Sequence, residues 1–141
     1  MKRYIVIEII ACACMILFIY AAVIKLLDYE KFRVDIGQSP MLSPFAPTLS
    51  VVVPVAELLI VMLLMVVRTR LLGLCAFLAM MVMFTTYIVL ASRFSDYVPC
   101  SCGGIIGQLG WTAHLIFNLV FVLFALTAIL LCSKEPRRIL V

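Results

Sequence analysis

The stretch Leu71–Ala91, LLGLCAFLAMMVMFTTYIVLA, decides the fold, because it runs for 21 residues without one charged side chain. At 1.5 Å of rise per residue, a helix of this length crosses a hydrocarbon core about 30 Å thick. Three other stretches read the same way: Tyr4–Leu27, Leu49–Val67 and Trp111–Cys132. None alternates apolar and polar residues as a barrel strand does. Lipid offers no partner to backbone N–H and C=O groups, so each run is expected to be a helix. The expected fold is all-α, one domain over residues 1–141 built as a bundle of four transmembrane helices.

Composition points the same way. The chain is 67% hydrophobic and 13% charged, with a mean hydropathy of +1.28. A soluble domain of 141 residues cannot bury that much apolar surface, since small globules keep a large share of their atoms in water. The membrane is therefore the solvent.

Basic residues set the expected orientation. Lys2 and Arg3 precede the first span, Arg68 and Arg70 occupy the turn between the second and third, and Lys134, Arg137 and Arg138 follow the fourth. These segments share one side of a four-span topology, which places both termini in the cytoplasm. The other two loops, 28–48 and 92–110, then face outward, and their Lys31, Arg33 and Arg93 are offset by Asp28, Glu30, Asp35 and Asp96. The net charge of +4 is accounted for by topology, and no basic patch with interleaved aromatics points to nucleic acid. The first apolar run exceeds the 7–15 residues of a cleaved signal's h-region, so it reads as a retained anchor. Ile9-Ile10-Ala11-Cys12 resembles a lipoprotein cleavage box only superficially, because the run before it is short and holds Glu8.

The chemistry is expected in the outer loops. The first opens with charged residues around Phe32 and ends in Ser39-Pro40, Ser43-Pro44 and Pro47, a half expected to be an irregular strip over the bundle. It holds no cysteine. The second contains Pro99, Cys100-Ser101-Cys102 and glycines at 103, 104, 107 and 110, a pliable backbone that lets a protein approach the sulfurs. A Cys-x-Cys bridge forms only in a bent backbone, and strained, exposed disulfides are the labile ones. Redox cycling of Cys100 and Cys102 is favoured over a structural staple. A zinc site would need four ligands, and His114, the lone histidine, supplies at most a third, so no metal is expected.

The remaining cysteines read as packing groups. Cys12 and Cys14 point about 200° apart on a helix, and Cys75 and Cys132 fall near the cytoplasmic ends of their spans. The eight methionines are dispersed and suggest packing, not a copper path.

Polar groups inside the membrane are costly, and three lie at similar depth in the outer half. Glu57 is roughly 12 Å below Leu49, with His114 and Asn118 roughly 5 and 10 Å below Trp111. His114 and Asn118 share a helix face. They are expected to meet beneath the cysteine loop, either moving protons during thiol exchange or locking the helices together. Pro54 frees the carbonyl of Ser50 and is expected to kink the second span there. Lys25, with Asp28 three residues on, is expected to snorkel at the outer interface, and Glu8 to reach the inner one. Trp111 and Tyr4 read as interface anchors.

Lys25-Leu26-Leu27-Asp28 with Phe32, Pro54 with Glu57, Cys100-x-Cys102-Gly103, and Gly110-Trp111 with Asn118 together resemble the MauE (methylamine utilisation) family, within the DoxX-like redox-associated membrane proteins. The resemblance spans almost the whole chain. It implies a four-helix protein of the bacterial inner membrane whose Cys100 and Cys102 are a redox pair. It also implies a periplasmic partner, either a thioredoxin-like protein or a disulfide-containing client. Two other readings stand beside this one: a non-catalytic scaffold with a structural loop disulfide, and a quinone-coupled enzyme that generates disulfides. A protein with one outer cysteine pair needs a partner to supply or accept electrons, and no bound cofactor other than a quinone is expected.

Overall fold

The structure, a computed structural model, describes residues 2–38, 42–94 and 111–133. Cys100, Cys102 and the basic tail from Lys134 onward lie outside the described residues.

Four long helices account for most of the described chain: α1 (Lys2–Leu27), α3 (Ala46–Met65), α4 (Arg70–Phe94) and α5 (Trp111–Ser133). A short helix, α2 (Tyr29–Gly37), follows α1 after a single residue. The four long helices close a ring in which α1 packs on α3, α3 on α4, α4 on α5 and α5 on α1. All four are long and apolar enough to cross a membrane, so this is a multi-pass membrane protein.

The ring has a core of apolar helix contacts and an apolar outside. Phe18, Leu64, Leu74, Phe77, Ala125 and Ala128 are buried at the helix contacts, with the Phe18 and Phe77 rings 4.4 Å apart. Ile16, Leu59, Met62 and Leu123 point outward with more than half of their surface exposed, a face that hydrocarbon covers. The hydroxyls of Thr85, Thr86 and Thr127 donate to the carbonyls four residues earlier at 2.7–2.8 Å. Internal bonding of this kind removes the cost of a hydroxyl in lipid.

The turn between α3 and α4 is short because side chains satisfy the end of α3. The Thr69 hydroxyl donates to Leu63 O at 2.9 Å, and Arg70 Nε reaches Leu64 O at 3.4 Å. These carbonyls have no helical partner of their own. At the same end Arg70 Nη1 donates to Glu8 Oε1 at 2.7 Å, tying α4 to α1. The backbones of α3 and α4 are close there: a Cβ on Gly73 would stand 3.0 Å from Leu64 N.

The segment between α1 and α3 is more helical than its prolines and charges suggest. Phe32 and Ile36 share one face of α2 and bury against Ala46, with Leu42, Leu49 and Val53 around them. From Leu42 on, the proline half is not the expected irregular strip, and Ser39-Pro40 lies outside the described residues. Ser43–Phe45 form a 3-10 turn, and α3 already begins at Ala46, with Pro47 in its first turn. A missing N–H is harmless there, since the first helical N–H groups lack partners anyway. Further along, α3 continues unbroken through Pro54. The Ser50 hydroxyl donates to Pro47 O at 2.9 Å and lies 3.1 Å from the Tyr29 hydroxyl, which joins α2 to α3.

Candidate functional site

Three helices bring polar side chains to one cavity near the end of the bundle that carries α2. Lys25 comes from the last turn of α1, Glu57 from the middle of α3, and His114 and Asn118 from successive turns of α5. Their exposures are 4%, 0%, 2% and 5%. Phe18, Met81, Phe84 and Phe117 complete most of the wall, and the cavity, partly open, has a volume of about 30 Å³.

Lys25 is where sequence and structure part. Instead of snorkelling to the interface beside Asp28, its ammonium is buried and paired with Glu57 Oε1. The cause is electrostatic. A carboxylate in the apolar interior needs a countercharge, and Lys25 is the one Lys or Arg inside the four apolar runs. Counting charges within the spans leaves Glu8 and Glu57 as partners for Lys25, and depth selects Glu57 because Glu8 lies at the other end of the first run; the proximity of Asp28 in sequence concealed this. The Lys25 ammonium also stands 5.2 Å from the centre of the Phe84 ring and 5.7 Å from that of Phe32 on α2. Both rings offer their electrons to the cation.

Glu57, His114 and Asn118 line the same cavity, but Glu57 bonds to Lys25 and not to either α5 residue. Four buried polar atoms of these lining residues have no hydrogen-bond partner: Glu57 Oε2, His114 Nδ1, His114 Nε2 and Asn118 Nδ2. Neutral imidazole offers one donor and one acceptor, the amide offers donors, and the free carboxylate oxygen accepts. The cavity can therefore both give and receive hydrogen bonds within an apolar wall.

Of the four cysteines in described segments, Cys14 and Cys132 are buried, Cys12 and Cys75 are exposed on the bundle's surface, and all four are free thiols. Among the described residues no three His, Cys, Asp or Glu side chains converge as a metal site. Cys100 and Cys102, the expected redox pair, belong to the connection between α4 and α5. That connection leads into the first turn of α5, one turn before His114.

A family model described as methylamine utilisation protein MauE matches residues 3–131. No curated protein and no solved structure matches the chain.

Proposed function

The chain belongs to the MauE family, and we propose that it works in the bacterial inner membrane as a thiol–disulfide exchange protein acting through Cys100 and Cys102. Both termini are cytoplasmic in this reading, and the cysteine pair faces the periplasm. The partner is a thioredoxin-fold protein or a disulfide-containing client.

The observation that supports this reading is the buried group of Lys25, Glu57, His114 and Asn118, set where α5 begins after the cysteine-bearing connection. Thiol exchange needs a thiolate to attack and a proton for the thiolate that leaves. One cysteine attacks the partner's disulfide, which forms a mixed disulfide and releases one partner thiol. The second cysteine then attacks the first, leaving a Cys100–Cys102 disulfide and a reduced partner. The reverse sequence reduces the pair. Glu57 and His114 are the groups able to hold and return the proton near this end of the bundle.

The decisive experiment is covalent trapping in cells. Cys100→Ser or Cys102→Ser is expected to accumulate a mixed disulfide with a periplasmic protein after acid quenching and alkylation. Full activity of both single variants in the organism would replace this reading with a scaffold whose loop disulfide is structural.

A further inference from the structure

We propose that the cavity among Lys25, Glu57, His114 and Asn118 binds the headgroup of a membrane-dissolved quinone. The binding claim stands on the cavity alone, and its redox consequence rests on the thiol exchange proposed above.

Charge comes first. Lys25 and Glu57 neutralise each other inside the bundle, so an ionic ligand would bring an uncompensated charge into an apolar site. The ligand is neutral. Hydrogen bonding comes second. Asn118 Nδ2 and one nitrogen of His114 donate, whereas the other His114 nitrogen and Glu57 Oε2 accept, and all four atoms are buried and unpartnered. A quinone presents carbonyl acceptors, and its reduced quinol presents hydroxyl donors. A site holding both kinds of group serves both oxidation states.

Access and size narrow the choice further. The wall residues that keep some exposure are Leu17 and Ala21 on α1, Phe84 on α4 and Phe117 on α5, all within the membrane-spanning stretches. Residual exposure within the spans favours entry from the hydrocarbon, and so a ligand dissolved in lipid. The cavity, about 30 Å³ and only partly closed, admits one polar end of a ring, whose body would extend toward Phe84 and Phe117. With a quinone there, the reduced cysteine pair has an acceptor: the two thiols lose two electrons and two protons to form a disulfide, and the quinone gains both to become a quinol.

The test uses full-length protein in lipid nanodiscs carrying Cys100→Ser and Cys102→Ser, with Cys12, Cys14, Cys75 and Cys132 changed to alanine, so that no thiol chemistry intervenes. Decylubiquinone and menadione are titrated while the fluorescence of Trp111, the single tryptophan, is followed. Saturable quenching is expected, weakened about tenfold by Asn118→Leu, which removes one or two hydrogen bonds. Leu59→Ala, on the lipid face, is expected to change nothing. Linear, unsaturable quenching, or identical quenching in Asn118→Leu, overturns the site and is also what a cavity holding only water would give. Should Asn118→Leu fail to fold, photolabelling the parent protein with an azidoquinone decides: label on α1 and α5 supports the site, and label elsewhere removes it. Saturable binding with dispensable cysteines would retain the site and discard thiol exchange. Trapped mixed disulfides without quinone binding would do the opposite.

Discussion

Lys25 on α1 and Glu57 on α3, 32 positions apart in sequence, are hydrogen-bonded to each other inside the bundle. The pair fixes how α1 sits against α3 at the α2 end. Arg70 and Glu8 join α1 to α4 at the other. Opposite charges thus fasten both ends of α1, while the middle rests on Phe18 and other apolar contacts.

Removing one member of the buried pair leaves the other charge without compensation. Lys25→Met and Glu57→Gln are each expected to cost about 3–5 kcal/mol, and the double variant should recover most of that loss. Denaturation in mixed micelles measures all three. Additive losses would show that the pair contributes no coupling.

Phe32 carries α2 onto the bundle and places a ring over the Lys25 ammonium. Phe32→Ala is expected to cost about 3 kcal/mol and to raise hydrogen exchange across 29–37. Val34, on the exposed side of α2, provides the control, and Val34→Ala should leave exchange unchanged.

How much of this was legible in the sequence depends on the kind of signal. The four spans are written in long uncharged runs, and the observed helices match them to within about three residues at each end. α2 was hidden, because Glu30, Lys31, Arg33 and Asp35 mask the two apolar residues, Phe32 and Ile36, that hold it down. Lys25 was misread for a related reason: local sequence offered Asp28, whereas its partner comes from a helix that only the tertiary fold brings near. Depth along the helices did place Glu57, His114 and Asn118 around one space, but depth says nothing about which atoms bond.

Gly73 and Gly37 should respond oppositely to alanine. A Cβ at Gly73 would stand 3.0–3.1 Å from the backbone of Leu63 and Leu64, which cannot yield as a side-chain tip does. Gly73→Ala is expected to cost about 1–3 kcal/mol by forcing α3 and α4 apart. At Gly37 the added Cβ meets only the Ala46 methyl at 3.9 Å, so Gly37→Ala should stabilise by about 0.4–1 kcal/mol through the unfolded chain. Thermal melts of the two variants provide the comparison.

The proposed orientation predicts labelling from one side. With Cys12, Cys14, Cys75 and Cys132 changed to alanine, a membrane-impermeant maleimide should modify reduced Cys100 and Cys102 on spheroplasts and spare them in inverted vesicles. The opposite pattern would place the termini in the periplasm.

Arg70 and Glu8 form a pair whose members are unequally buried, with side-chain exposures of 9% and 37%. Glu8→Gln keeps a side-chain oxygen that accepts from the buried Arg70 guanidinium and loses only the charge, so it is expected to cost about 1 kcal/mol. Arg70 also holds the Leu64 carbonyl at the end of α3 and packs its stem against the helices. Arg70→Met therefore loses the ion pair and also a partner for an otherwise unpaired carbonyl, at an expected cost of about 1–3 kcal/mol. If the ion pair alone mattered, the two variants would melt together. If the guanidinium also closes the turn, Arg70→Met melts lower and Arg70→Lys recovers only part of the difference, because an ammonium cannot span Glu8 and Leu64 with the same fork.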